Sequence, residues 1–249
     1  MFTKQLYRYL EYHVSSRNSK ALFTGKTDHL RHYDNHIVEL QNNVGLRGYT
    51  SKGKVKVLDP INLDITFSEV MANRKSERNY SNYKISLKEI STLLYYSCGY
   101  KKSDISRKNV PSSGGFNATE IFAIVLSSDE IAEGMYYFDA RENTLNEIIL
   151  GDFKDWVGYD AFYQKEWGEA SVVFVLAANL TRLSQKYLAR AYRLCLLDVG
   201  HVAQNLYLTS AALNLKVCEV LGYLEGEMEE ALGMDGVNVA SFSTVVIGK

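Results

Sequence analysis

The sequence predicts an α+β fold, and three observations carry that prediction. Apolar runs rich in β-branched residues at 121–126 and 171–177 read as buried strands. Helical patterns occupy 86–99 and 183–215. The two kinds of element are mixed without the regular rhythm of strand–helix–strand units. In chain order, residues 2–13 read as a short helix, with Leu6, Tyr9, Leu10 and His13 at i, i+3, i+4 and i+7. Residues 15–53, rich in Ser, Asn, Gly, His and charge, read as loop, and 54–58 as a brief strand. Phe67–Asn73 is a helix, and 86–99 another, with Ser86 as N-cap and Glu89 three residues later completing a capping box. Weaker strands are expected at 135–138 and 217–220, and a last one at 243–247. Residues 183–215 form one helical pattern, mildly broken at Gly200. Leu194, Leu197, His201, Asn205 and Leu208 follow one stripe of it, and apolar positions nearly surround the axis, which predicts a buried spine. The domain reading is an N-terminal extension over 1–66 and a main domain over 67–249.

The chain has 249 residues, 46% hydrophobic and 23% charged, ample for one large domain with an arm. Its 28 Lys and Arg nearly balance 29 Asp and Glu. That balance argues against nucleic acid or an anionic membrane as the partner of the whole protein. No apolar run reaches the roughly 18 residues of a membrane helix, and the start, MFTKQLYRYLEYH, has no signal-peptide core. Cys98, Cys195 and Cys218 show neither a disulfide framework nor CxxC spacing, so they read as packing residues in a reducing cytoplasm.

Three clusters carry chemistry. The first is Arg74-Lys75-Ser76-Glu77-Arg78, inside a stretch from 74 to 108 with nine cations against three acids. Guanidinium groups beside a hydroxyl suit phosphate oxygens, although a solvated basic helix end would look the same. The second is Pro111-Ser112-Ser113-Gly114-Gly115, where glycines after a fixed-φ proline let backbone N–H groups approach an anion or a flat ring. It lacks the lysine of a P-loop, and no GxGxxG follows a strand. The third is Lys186-Tyr187-Leu188-Ala189-Arg190-Ala191-Tyr192-Arg193. Helical spacing sets Lys186, Arg190 and Arg193 on one face, and the lysine beside a tyrosine offers a base whose pKa positive neighbours would lower. An exposed helix face with its aliphatic stems packed down is the plainer alternative.

In this order and spacing the pieces resemble the nitroreductase superfamily of flavin enzymes, most closely its SagB-type branch of azoline dehydrogenases. The resemblance covers about residues 70–249 and, more loosely, the Tyr12-His13 pair. It implies a mostly antiparallel central sheet wrapped by helices, and an intertwined homodimer with FMN between the subunits. Arg74, Ser76 and Arg78, with Lys75, match the site for the flavin phosphate and ribityl chain. Pro111, Ser112, Ser113 and Gly114 match the loop that meets the flavin from the second subunit, and Leu221-Gly222 the segment facing the ring edge. Lys186-Tyr187 with Arg190, Tyr192 and Arg193 matches the KYxxRxYR signature, in which Lys-Tyr is catalytic. Many relatives add basic residues after the last strand, whereas this chain stops at Gly248-Lys249, so Lys249 or Arg107 is assigned to that role. The implied reaction is oxidation of thiazoline or oxazoline rings in a ribosomally made peptide, with a precursor peptide and cyclodehydratase subunits as partners. The alternatives are an NAD(P)H-dependent nitro or quinone reductase and a flavin-binding structural subunit of a peptide-modifying complex.

Elsewhere the readings are bland. His29, His32 and His36 lack an accepted zinc spacing, so no metal is expected. His201, on the apolar stripe, reads as a hydrogen-bonded core histidine, and the acids from Glu225 to Asp235 as a solvated helix and its flanks.

Overall fold

The computed structural model describes residues 11–17 and 53–249. The predicted helix over 2–13 and loop over 15–53 lie mostly outside the described residues, as do His29, His32 and His36. Residues 11–15 are helical.

Seven strands build one sheet in the order β1-β6-β5-β4-β7-β9-β8, every pairing antiparallel. They are β1 (Lys54–Lys56), β4 (Thr119–Val125), β5 (Gly134–Asp139), β6 (Thr144–Leu150), β7 (Val172–Asn179), β8 (Lys216–Val220) and β9 (Val239–Gly248). A separate two-stranded ribbon joins β2 (Tyr100–Lys101) to β3 (Asp104–Lys108). The helices are α1 (Phe67–Asn73), α2 (Leu87–Cys98), α3 (Leu180–Tyr187), α4 (Ala191–Ala212) and α5 (Glu225–Ala231).

The central strands read as unbroken apolar runs because both faces of the sheet are covered. On one face Ile121, Ala123, Val125, Phe174 and Val245 pack with Ile90, Leu93 and Leu94 of α2 and with Val199, Val202 and Leu206 of α4. On the other, Phe122, Ile124, Val173, Val175 and Val246 pack under Val157, Trp167, Tyr223 and Met228. Each such side chain removed from water contributes about 1.5–3 kcal/mol. The capping box of Ser86 and Glu89 forms as the spacing predicts, and Thr66 with Glu69 makes a second one at the start of α1.

Three expectations need correction. The pattern over 183–215 is two helices, not one. Leu188 (φ 51°, ψ −138°) breaks it, a short 3-10 turn (Leu188–Arg190) follows, and Gly200 lies inside an unbroken α4. Lys186 therefore does not share a helix face with Arg190 and Arg193. Nor is α4 buried all round. Leu196 (46% exposed) and Leu197 (60%) face outward. His201 is exposed rather than in the core. The buried stripe runs instead through Cys195, Asp198, Val199, Val202 and Leu206. Sequence reading also missed β6, whose Asn146-Glu147 interrupts the apolar pattern, and the polar β2–β3 ribbon.

Candidate functional site

Arg74 is the C-cap of α1, and from there the chain runs extended along the outer edge of β8. The Glu77 N–H donates to Val217 O (2.9 Å), Lys216 Nζ to Asn79 O (2.6 Å), and the Ser81 N–H to Lys249 O (2.8 Å). The segment is thus sewn to the sheet, and the Tyr80 hydroxyl adds a bond to Val246 O of β9 at 3.1 Å. Ser76 Oγ lies 2.9 Å from the Tyr207 hydroxyl, which itself accepts the Glu219 N–H at 2.8 Å. Either hydroxyl can donate in that pair, so Tyr207 ties Ser76 to β8 and fixes where its hydroxyl stands. The Arg74 guanidinium sits 5.7 Å from the centroid of the Tyr207 ring. Lys75 pairs with Glu77 at 3.1 Å, but neither Arg74 nor Arg78 has a carboxylate within ion-pair distance among the described residues. Lys249 lies 5.0 Å from the Tyr83 ring, at the same edge. β8 then delivers Leu221, 68% exposed, and Gly222, whose carbonyl accepts the Tyr163 N–H at 3.3 Å. One sheet edge therefore gathers Arg74, Ser76, Arg78, Leu221, Gly222 and Lys249.

The PSSGG loop and the Lys-Tyr pair meet elsewhere. Asp198, on the buried stripe of α4 and 3% exposed, accepts from the Ser113 N–H (2.9 Å), Ser113 Oγ (2.9 Å) and Ser112 Oγ (3.1 Å). Ser112 Oγ in turn accepts the Asn117 N–H at 2.8 Å. Both hydroxyls are therefore donors to Asp198 and shape the loop. Burial and then the Asp198 charge raise the nearby Cys195 thiol to about 12. Gly114 adopts φ 59°, and a Cβ there would overlap the Tyr187 hydroxyl. The Tyr187 ring stands edge-on to Phe116 with centroids 6.0 Å apart, and Lys186 Nζ is 5.7 Å from the Tyr187 ring centroid. The tyrosine hydroxyl makes no hydrogen bond among the described residues and faces the glycine surface.

Behind this cluster lies an ion pair with almost no solvent. Arg182 of α3 reaches Glu120 of β4 at 3.0 Å, and both side chains are at most 10% exposed. Arg182 also donates to Asn117 O (2.6 Å), at the end of the loop, and the Tyr137 hydroxyl donates to Glu120 (3.0 Å). Burial and the Glu120 charge hold the Tyr137 phenol well above its ordinary range. α3 and the loop are therefore locked to one strand. Arg107 is not drawn to the Arg74–Arg78 stretch; it pairs with Asp104 of the ribbon at 3.2 Å. Asp198, Tyr207, Arg182 and Glu120 escaped the sequence reading. Asp198 alone left a signal, a charge inside an apolar helical stripe. Among the described residues, no group of three His, Cys, Asp or Glu is placed to hold a metal, and no helix is long and apolar enough to cross a membrane.

Comparison with known proteins agrees with this architecture. A nitroreductase homologue of Methanocaldococcus jannaschii is 29% identical over 169 residues, 68% of this chain and 85% of its own length. The trifolitoxin-processing protein TfxB of Rhizobium leguminosarum is 26% identical over 181 residues, 66% of this chain but only 47% of its own. Among solved structures, a nitroreductase homologue from Anabaena variabilis superposes with TM-score 0.69 at 24% identity, over 83% of this chain and 45% of that one. This chain therefore spans about half the length of those last two proteins. A chain of the Escherichia coli microcin synthetase McbBCD complex with truncated pro-MccB17 bound gives TM-score 0.63 at 19% identity, over 94% of this chain and 98% of that one. A nitroreductase homologue from Exiguobacterium sibiricum, solved with FMN, gives 0.54 at 18%, over 76% and 90%. The Nitroreductase family model matches residues 71–249, which hold the whole Arg74 edge, the PSSGG loop and the Lys-Tyr pair, and the chain belongs to the nitroreductase family.

Proposed function

We propose that this nitroreductase-family oxidoreductase is an FMN-dependent dehydrogenase that converts azoline rings of a ribosomally made peptide to azoles. The observation that carries the reading is the Tyr187 hydroxyl, set against Gly114 of the PSSGG loop with Lys186 beside it. Support for FMN comes from the family, from the flavin-bound Exiguobacterium structure, and from the donor set itself: two guanidinium groups with no carboxylate partner among the described residues, a serine hydroxyl held beside them, and a glycine surface a side chain would fill. Arg74, Ser76 and Arg78, with Lys75 and Lys249, would hold the phosphate and ribityl oxygens, and the backbone at Leu221-Gly222 would face the ring edge. When bound, FMN supplies the two-electron acceptor for the hydride leaving the ring β-carbon. Lys186 Nζ or the Tyr187 hydroxyl oxygen removes the proton from the α-carbon, so the ring loses H⁺ and H⁻ and becomes aromatic. The protein's share is orientation and proton removal.

The two residue groups lie apart within one protomer, and α4 offers the means to unite them. Its outward face carries Leu196, Leu197 and His201, and a Cβ at Gly200 would meet nothing within 4 Å. Antiparallel pairing of two copies about Gly200 sets position 193 of one opposite position 207 of the other. The Lys-Tyr end of one copy then comes level with the Tyr207–Arg74 edge of its partner. That pairing supports a homodimer with composite sites as the arrangement we propose. The names of the trifolitoxin-processing relative and of the microcin synthetase complex support a peptide substrate, with cyclodehydratase subunits as further partners.

The test uses purified protein and a thiazoline-bearing peptide. The wild type should be yellow, release FMN and form thiazole. Lys186→Ala with Tyr187→Phe should stay yellow and lose azole formation by at least about a hundredfold. Full activity in that variant removes the proposed base, and rapid bleaching of the wild-type flavin by NADPH would instead mark a reductase.

A further inference from the structure

The two arginines of the Lys-Tyr signature are spent on something other than substrate. Arg193 donates from Nε to Ser16 Oγ (2.7 Å) and from its terminal nitrogen to His13 O (2.7 Å), with His13 Nδ1 at 3.2 Å. Arg190 donates to Ser16 O at 3.2 Å. Between them Tyr192 stands edge-on to Tyr12, centroids 5.3 Å apart, and to Phe242 of β9 at 5.3 Å. Residues 12–16 are thus gripped by two guanidinium groups and an aromatic ring, far away in sequence. Between this grip and Tyr187 lie Leu188 and Ala189, and Leu188 adopts a conformation an L side chain rarely takes, φ 51° and ψ −138°. Its N–H closes α3 onto Ser184 O, and its carbonyl accepts the Ala191 N–H that opens α4. A continuous helix through 183–215 would relax this residue, but the two helices could then not keep both of their present packings, Tyr187 against Gly114 on one side of the break and the buried stripe of α4 on the other.

We infer that Arg190 and Arg193 are positioning residues: by clamping residues 12–16 they hold the break at Leu188 open and so keep Tyr187 on Gly114. The inference rests on the reading of Tyr187 as part of the reacting pair, and goes beyond it by giving the N-terminal segment a task in the site. It also accounts for the strain, because a contorted residue persists only where its surroundings over-determine it.

The experiment compares wild type, Arg193→Ala and the milder Ser16→Ala, all as full chains loaded with FMN. Hydrogen exchange would be read at the Leu188 and Ala191 amides, and kcat and KM on the thiazoline peptide. Both variants should exchange faster at those two amides while β7 keeps its protection. Arg193→Ala should lose about 10- to 100-fold in kcat with little change in KM or FMN content, and added guanidinium should restore part of the rate. Unchanged exchange in both variants overturns the clamp, and so does faster exchange with wild-type kcat. A wild type that bleaches with NADPH and forms no azole counts against the dehydrogenase reading, while the exchange at Leu188 and Ala191 still decides the clamp.

Discussion

At the scale of single residues, the site depends on groups that never touch a ligand. Glu120 and Arg182 form a buried pair, and Arg182 also satisfies the Asn117 carbonyl that ends the PSSGG loop. Removing one partner strands the other charge in an apolar surround, which costs far more than removing both. Arg182→Ala should therefore destabilise the fold by about 3–5 kcal/mol in urea unfolding, whereas Arg182→Leu with Glu120→Leu should recover most of it. If the single variant unfolds like the wild type, the pair does not anchor α3. Asp198 works in the same indirect manner, since its carboxylate organises a loop whose serine hydroxyls would otherwise be available to an anion. Gly114 is needed for two reasons at once, its left-handed φ of 59° and the Tyr187 hydroxyl occupying the place of any Cβ.

Elements are joined by turns whose chemistry titrates. Ahead of β9, the Asp235 carboxylate accepts the N–H groups of Val237 (3.0 Å), Asn238 (2.8 Å) and Val239 (3.0 Å), and Asn238 Nδ2 as well (2.7 Å). The Val239 N–H is the largest of the influences that hold this carboxyl well below the usual carboxylate range. A depressed native pKa means stabilisation that is fully present above the ordinary aspartate value, about 3.9, and lost as pH falls below it. The gap in melting temperature between wild type and Asp235→Asn should therefore hold steady from pH 7 to about pH 4 and narrow progressively as pH falls below that. The gap should correspond to about 1 kcal/mol, because the turn is exposed and screened. A gap that stays constant as pH falls below about 4 would mean the carboxylate charge does nothing for the turn. The same segment shows why the acids after Glu225 are more than a solvated patch: Glu229 accepts from both the N–H and the hydroxyl of Ser241 on β9.

For the whole molecule, the proposed composite site stands or falls with the outward face of α4. Leu197 is 60% exposed and Leu196 46% in a helix whose opposite side is core, and in the proposed homodimer a second copy covers them. Leu197→Glu should give a monomer by sedimentation velocity, with FMN lost on gel filtration because the two groups of site residues no longer meet. A dimeric, yellow Leu197→Glu protein would place the interface elsewhere and leave the composite site without a basis.

Local chemistry was legible without any coordinates. The Ser86–Glu89 capping box, the bounds of Phe67–Asn73 and the apolar runs of β4 and β7 are set by neighbours in the chain, and each forms as expected. The Arg-x-Ser-x-Arg stretch, the PSSGG loop and the Lys-Tyr pair stand out by residue type, but their roles came from the resemblance of the whole set to a family and remain part of the proposal. Only tertiary structure revealed that the pattern over 183–215 breaks at Leu188, where contacts with residues 12–16 from the far end of the chain outweigh helix propensity. The same holds for the pairing of Glu120 with Arg182 and for Asp198 under the serine loop, contacts across 62 and about 85 residues that no local pattern encodes. A helix knows its own period, but which of its faces meets solvent is settled by what else packs against it.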